Sequence, residues 1–259
     1  MNQEDLKRLK IWFDEYVSGY YTDDSGYNYP FRLKKNHTKR VCENIIMIGK
    51  AMDFSDYDLI LAETMALFHD IGRFEQYAKY GTFSDIASEN HAKLSLRQMA
   101  THGVLSENTK DEKRLITKAI AYHNVAALPN AKDEKELFYM RLLRDADKLD
   151  IWKVVIDYYH ERDNFQSSAI ELNLPDDPIW SDKILKSVMN KKIARMEDLK
   201  TLNDFKLLQI SWVFDLNFAP SFKAVKNRKY LSQIEATLPQ STDIADAVSI
   251  AHSYVKSHL

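Results

Sequence analysis

Helical periodicity runs through most of this chain, and few residues interrupt it. Apolar side chains recur at steps of three and four residues, as from Leu6 to Val17 and from Leu137 to Val155. The 259 residues include only 6 glycines and 6 prolines, whereas an all-β fold needs many turns and usually more of both. The sequence therefore predicts an all-α protein.

The periodic segments fall into two regions. Residues 1–162 are expected to form a helical core, a bundle that is preceded by an N-terminal helix. Residues 163–259 begin with a loop-like stretch and then return to helical patterns, which predicts a helical extension packed on the core. The extension is a candidate surface for a homodimer or another partner.

Local signals place some of the helix ends. Thr109 and Glu112 have the spacing of a capping box, which predicts a helix that begins after Thr109. Residues 71–86 contain Gly72 and Gly81 and are expected to be irregular. Their mixture of aromatic and charged side chains fits either a lid beside a site or packing onto the domain.

Composition excludes several classes of protein. The 36 basic and 38 acidic side chains give a net charge of -2 with no basic tail, so no nucleic-acid partner is expected. The chain shows no signal-peptide pattern and no apolar run long enough for a membrane span, so a cytoplasmic protein without a membrane contact is expected. Cys42 is the only cysteine, so a metal ion would have to be held by nitrogen and oxygen.

Metal-binding side chains recur at the ends or inward faces of five successive predicted helices. Asp147 is the most telling, because it lies one turn after Leu143 and one turn before Ile151 on an apolar face. A buried carboxylate is costly unless something neutralises it, and a metal ion would do so. Helical bundles build metal sites from side chains that converge in this way. The candidate ligands are His37, His69, Asp70, His91, His123 and Asp147.

The mixture of side chains suits a divalent ion. Imidazole and carboxylate groups bind Zn, Fe, Ni, Mn or Co, and carboxylates also suit Mg. Asp70, in the stretch ALFHDIGRF, carries two oxygens and could bridge two ions. Two ions about 3.5–4 Å apart can hold a hydroxide and stabilise an in-line displacement at phosphorus.

Simpler explanations stay open at each position. His69 and Asp70 could merely end a helix, where the helix dipole favours a histidine. Asp147 could pair with a neighbouring Arg144 or Lys148. Two further aspartates of the same helix are expected to be solvated or paired with neighbouring Lys and Arg side chains; they are Asp145 and Asp150.

In order and in type, His37, the pair His69–Asp70, and Asp147 resemble the signature of the HD-domain superfamily of metal-dependent phosphohydrolases. The stretch RDADKLD, which contains Asp147, resembles the third motif of that superfamily. The additional histidines in SENHAKLS and AYHN resemble the longer variant that binds two metals. The resemblance covers residues 31–152 and implies an HD-domain-like helical bundle.

The resemblance also implies the roles of the ligands. One ion would be held by His37, His69, Asp70 and Asp147, and a second by Asp70, His91 and His123. The expected cofactor is one or two divalent ions, drawn from Mn, Fe, Ni, Co, Mg and Zn. The expected enzyme is a hydrolase that cleaves a phosphate monoester or diester, with small phosphorylated molecules, including nucleotides, as substrates.

Further roles can be suggested for individual residues. Asp70 is the central catalytic candidate, and a protonated His123 could donate to the leaving oxygen if only one ion binds. Arg73 and Lys148 are candidates for binding the substrate phosphate, although each could equally be a surface cation. Two alternative functions stay open: a di-iron oxygenase on the same scaffold, and a nucleotide-binding protein without catalysis.

Overall fold

The computed structural model describes residues 1–130, 133–162 and 168–259, and these residues form an all-α fold with no β-strand among them. This confirms the predicted fold class. Short 3₁₀ segments flank α10. The helices are α1 (Gln3–Ser18), α2 (Tyr29–Ala51), α3 (Asp56–Phe68), α4 (Gly72–Tyr80), α5 (His91–Thr101), α6 (Lys110–Ala121), α7 (Glu134–Glu161), α8 (Ser168–Glu171), α9 (Asp182–Met189), α10 (Leu202–Ser211), α11 (Ala219–Asn227), α12 (Tyr230–Glu235) and α13 (Thr242–Lys256).

The chain divides into two compact units, Met1–Asp150 and Ile151–Leu259. The predicted division into a core of residues 1–162 and an extension of residues 163–259 stays a prediction. Part of the stretch expected to be loop-like, residues 163–167, lies outside the described residues. No described helix is both long and apolar enough to cross a membrane.

In the first unit, α3 is the central helix. The helices α1, α2 and α6 all pack against it, and α4 packs against α5. The contact face of α2 carries Val41, Ile45 and Ile48, which are fully buried and lie at helical spacing. Burying each such side chain contributes about 1.5–3 kcal/mol to the stability of the fold. This packing fixes the helix ends from which the candidate ligands project.

Capping side chains define where two of these helices begin. The hydroxyl of Thr109 accepts from the backbone N–H of Glu112, whose side chain accepts in return, so the predicted capping box is present. Asn90 accepts from the backbone N–H of Lys93 at 3.0 Å and starts α5. As a result His91 is the first residue of α5.

In the second unit, α9 packs against α10 and α13. The indole N–H of Trp152 donates to the backbone carbonyl of Gln209 at 2.9 Å. The same indole lies against the rings of Trp212 and Tyr230, at centroid distances of 6.0 and 5.9 Å. A fully buried Trp with a satisfied N–H is a strong packing anchor.

The expectation that residues 71–86 are irregular is wrong for the first part of the segment, because α4 occupies Gly72–Tyr80. The buried ring of Phe74 lies against Phe13 and Phe31, and this packing outweighs the weak helix propensity of glycine. Gly81, at a φ of 65°, then ends the helix, as a left-handed glycine commonly does.

Gly72 is required by the close approach of α4 and α5. A Cβ atom at this position would lie 2.4 Å from the backbone nitrogen of Ser95 and 2.9 Å from the carbonyl oxygen of His91. Backbone atoms cannot yield as a flexible side chain does. The two helices therefore approach this closely only if residue 72 has no side chain.

We predict that Gly72→Ala destabilises the protein, by about 1–3 kcal/mol as is typical of overpacking, because α4 and α5 must separate. Urea unfolding followed by circular dichroism measures the change. Gly26→Ala is the control, since its new Cβ would approach only a side-chain oxygen of Asp24. An unfolding midpoint for Gly72→Ala equal to that of the wild type would contradict the prediction.

Candidate metal centre

All six candidate ligands come together in the first unit. Two of them lie on the helices α2 and α7, and one is the first residue of α5. The others follow the C-terminal ends of α3 and α6. Every one is buried except Asp147, whose side chain is 14% exposed. Three overlapping groups place one ligand atom from each member within 4.8 Å of the others: His37–His69–Asp70, His69–His123–Asp147 and Asp70–His91–His123.

Two of the histidines are oriented by a buried or half-buried carboxylate. The Nδ1 atom of His37 lies 2.6 Å from Oδ2 of Asp150, and Nδ1 of His91 lies 2.7 Å from Oδ2 of Asp85. Carboxylates accept hydrogen bonds, so each Nδ1 carries the proton. A carboxylate that accepts from Nδ1 in this way fixes the orientation and the tautomer of the ring, so that Nε2 is free to bind a metal ion.

The other two histidines are oriented by the backbone. His69 donates from Nδ1 to the carbonyl of Ala66, and His123 donates from Nδ1 to the carbonyl of Ile120, each at 2.7 Å. Both acceptors lie in the last turn of a helix, where carbonyl groups lack intrahelical partners. A histidine placed just after a helix can therefore anchor itself on that helix.

The four Nε2 atoms consequently face one another as lone pairs. Nε2 of His37 lies 3.3 Å from Nε2 of His69, and Nε2 of His91 lies 2.9 Å from Nε2 of His123. In the neutral rings the only proton is on Nδ1, so neither pair can form a hydrogen bond across this gap. Two lone pairs at such distances repel each other, and a cation held between them would remove that repulsion. Burial opposes protonation of His37, but Asp147 and Asp150 raise its pKa, so the surroundings of this ring also favour a positive charge.

Asp70 connects the two histidine pairs. Its Oδ2 lies 3.5 Å from Nε2 of His37, and its Oδ1 lies 3.5 Å from Nε2 of His91. Asp147 lies nearest the first pair, with Oδ1 at 3.2 Å from His37 and 3.7 Å from His69, and it also forms a group with His69 and His123. Among the described residues, Oδ1 of Asp70 and Oδ1 of Asp147 are buried and accept no hydrogen bond.

These groups fit divalent cations. Buried carboxylate oxygens without donors, next to imidazole lone pairs, are the nitrogen and oxygen ligands that such ions prefer. Asp70, with one oxygen toward each histidine pair, is placed to bridge two ions. The two sets of residues that were suggested for two ions are therefore close enough together to hold two ions. Which residue binds which ion stays a prediction.

The charges of the site keep both carboxylates ionised. Burial opposes ionisation, yet Lys34, His69 and Arg73 hold the pKa of Asp70 well below its usual value. Burial likewise opposes ionisation of Asp147, whose pKa is nevertheless held well below its usual value by His37 and His69. The site therefore presents two negative charges to a cation at neutral pH.

Two of the histidines are held neutral. Burial is the main cause that lowers the pKa of His91, and Arg73 adds to it. Burial and the neighbouring His91 and His69 lower the pKa of His123 to about 3. A neutral imidazole is the form that binds a metal ion. The suggested role of His123 as proton donor stays a prediction.

Arg73 is largely engaged with the chain itself. Its Nη1 donates to Oε1 of Gln76 at 2.7 Å, to the carbonyl of Phe83 at 2.5 Å and to Oδ1 of Asp85 at 3.0 Å. Its Nε lies 3.6 Å from Oδ1 of Asp70. Arg73 therefore holds the segment after α4 against the site. Lys148 follows Asp147 on α7 and is half-buried, and substrate binding by either cation stays a prediction.

For Asp150, the expectation of a pair with a basic residue holds in part, and the expectation of a solvated side chain does not. Asp150 is 1% exposed and pairs with Nε of Arg40 at 2.5 Å, but Arg40 is on α2, and Asp150 also pairs with His37. Asp145, expected to be similar, is fully buried. The spacing in the sequence could have indicated that Asp150 lies near the site, because it comes three residues after Asp147, close to the same face of α7.

Sequence reasoning also missed Lys34 and Asp85. Nζ of Lys34 lies 2.8 Å from Oδ2 of Asp70, and Lys34 is one turn before His37 on α2. That spacing could have indicated its position. Asp85 lies in a non-helical segment between α4 and α5, and no periodicity there could have revealed its contact with His91.

Comparison with known families agrees with this geometry. A helical bundle that brings four histidines and two aspartates to one buried point has the form of a metal-dependent hydrolase. Residues 35–152 match the model of the HD domain. This part of the chain therefore carries an HD domain, a domain whose family members are generally metal-dependent hydrolases. Searches of curated proteins and of solved structures found no significant match.

We predict that Asp85→Asn weakens binding of one ion, about 10–100-fold as is typical of such outer carboxylates. An amide can also donate to Nδ1 of His91, so the tautomer and the ring orientation are no longer fixed. Isothermal titration with Mn²⁺ or Zn²⁺ measures the affinity.

The control is Asp133→Asn, which replaces an exposed carboxylate that pairs with Arg114 rather than with a candidate ligand. Its metal affinity should equal that of the wild type. Unchanged stoichiometry and affinity in Asp85→Asn would show that Asp85 does not position His91.

Proposed function

We propose that the protein hydrolyses a phosphate ester at the site formed by the six candidate ligands. The observation that supports this most is the arrangement of two histidine pairs, with facing Nε2 lone pairs, joined by the carboxylate of Asp70. We further propose a small phosphorylated substrate, with nucleotides among the candidates. The proposed substrate is a phosphate monoester or a phosphate diester.

Divalent ions in such a site supply a water of lowered pKa as the nucleophile and neutralise charge on the phosphoryl oxygens. The protein itself provides the ligands in their binding form. Four Nδ1 hydrogen bonds keep the Nε2 lone pairs directed inward. The residues that hold the site are buried, so few waters compete for these lone pairs.

Basic side chains of the protein add positive charge next to the ligands. Lys34 and Arg73 both approach Asp70, at 2.8 Å and 3.6 Å. The charge on a transferring phosphoryl group is spread over its outer oxygens, and fixed cations beside them lower the barrier. We therefore place the phosphoryl group of the substrate on the side of the site where these two residues lie.

The test is a panel of phosphate monoesters and diesters, assayed for phosphate or alcohol release with Mn, Ni, Co, Mg, Zn and Fe. We expect turnover with at least one ion. We expect Asp70→Ala to reduce the rate about 100-fold or more, because a metal contributes several kcal/mol and about 1.4 kcal/mol is tenfold. Asp111→Ala is the matched control, since that side chain is 86% exposed.

Two results would overturn the proposal. One is the absence of turnover with every ester and every ion. The other is a rate that Asp70→Ala leaves unchanged. Oxygen uptake by the iron-loaded protein, without ester cleavage, would instead favour the di-iron oxygenase that remains the alternative on this scaffold.

A further inference from the structure

We propose that Lys34 forms a third cationic position in the site and so selects phosphate monoesters over diesters. This inference rests on the proposed hydrolysis of phosphate esters and narrows its substrate class. It depends on where Lys34 lies, on what the other nearby cation does, and on how the two kinds of ester differ in charge and in free oxygens.

Lys34 lies between the ligands and solvent. It is on α2, one turn before His37, and its Nζ lies 2.8 Å from Oδ2 of Asp70. Its side chain is 18% exposed, whereas that of Asp70 is 4% exposed. The ammonium group also lies 5.4 Å from the centre of the Phe83 ring, a distance at which the ring attracts a cation. Lys34 is therefore a partly exposed cation that is held against a buried ligand.

Metal binding changes what Lys34 pairs with. Oδ2 of Asp70, its present partner, also faces Nε2 of His37 and Nε2 of His69, at 3.5 and 3.7 Å. An ion held by these atoms would share the charge of that carboxylate. The ammonium of Lys34 would then lie beside a cation with its negative partner diminished, and an anion in front of it would restore the balance of charge.

Arg73 is less suited to this role. Its Nη1 already donates to Gln76, to Phe83 and to Asp85. Through these bonds Arg73 positions the segment that carries Phe83, on whose ring Lys34 lies. These bonds make Arg73 a positioning residue for the loop. Its Nε is buried without a hydrogen bond, 3.6 Å from Oδ1 of Asp70, so this part of Arg73 adds charge behind the ligands, whereas Lys34 is the more exposed of the two cations.

The two ester classes differ in how well they use three cations. A monoester has three non-bridging oxygens and carries nearly two negative charges at neutral pH. A diester has two non-bridging oxygens and one negative charge. With ions in both ligand groups, Lys34 supplies the third positive position, so each non-bridging oxygen of a monoester meets a cation, whereas a diester leaves one cation without an oxygen.

The test measures ester binding and metal content on the same samples, and turnover is followed separately with the panel of esters described above. Methyl phosphate and dimethyl phosphate are titrated into the metal-loaded protein by calorimetry, and metal content is measured on the same samples. We expect the wild type to bind methyl phosphate at least about tenfold more tightly. We expect Lys34→Gln to weaken methyl phosphate binding about 10–100-fold and dimethyl phosphate binding by less than about threefold.

Two further variants sharpen the result. Lys34→Arg keeps a positive charge and should retain most of the preference for methyl phosphate. Lys35→Gln is the matched control: it removes the next lysine of the same helix, whose Nζ lies 2.6 Å from Oδ1 of Asp14 rather than near the ligands. Its affinity for both esters should equal that of the wild type.

The inference is overturned if the wild type binds both esters equally or binds neither. It is also overturned if Lys34→Gln changes the two affinities by the same factor, or changes only the metal content, because Lys34 would then serve merely to pair with Asp70. A preference that Lys34→Gln removes, in a protein that turns over no ester, would support the inference while refuting the proposed function. Turnover with an unchanged ester preference in Lys34→Gln would do the reverse.

Discussion

The site depends on where the histidine protons are. Each of the four histidines among the candidate ligands gives its Nδ1 proton to a fixed acceptor, two to carboxylates and two to backbone carbonyls. This leaves four Nε2 lone pairs in a small buried volume. Burial makes such lone pairs costly without a cation, so any affinity for a metal ion would depend on the hydrogen bonds behind the ligands as much as on the ligands.

The sequence was sufficient to predict the all-α fold and the meeting of the six ligands. The reason is that the helices obey strong local rules, and each ligand lies at a helix end or on an inward face. Asp147 illustrates this best, because a carboxylate on an apolar face needs a partner whatever the details of the fold. The Thr109 capping box was likewise visible in a few residues.

Other features could not be predicted because they depend on contacts between distant segments. Asp85 reaches His91 only through a loop whose path is fixed by Arg73. The helix α4 forms despite Gly72 because buried rings stabilise it, and the glycine serves the approach of two backbones. Such close packing has no periodic signature in the chain.

The carbonyl groups behind His69 and His123 have a consequence for mutagenesis. They belong to the backbones of Ala66 and Ile120, so no side-chain replacement at those positions removes the acceptor itself. The two carboxylate anchors, in contrast, can each be lost by a single codon change. Random variation should thus affect the rings of His37 and His91 both at the histidine and at its carboxylate partner. The orientation of the other two rings depends on no second side chain as acceptor.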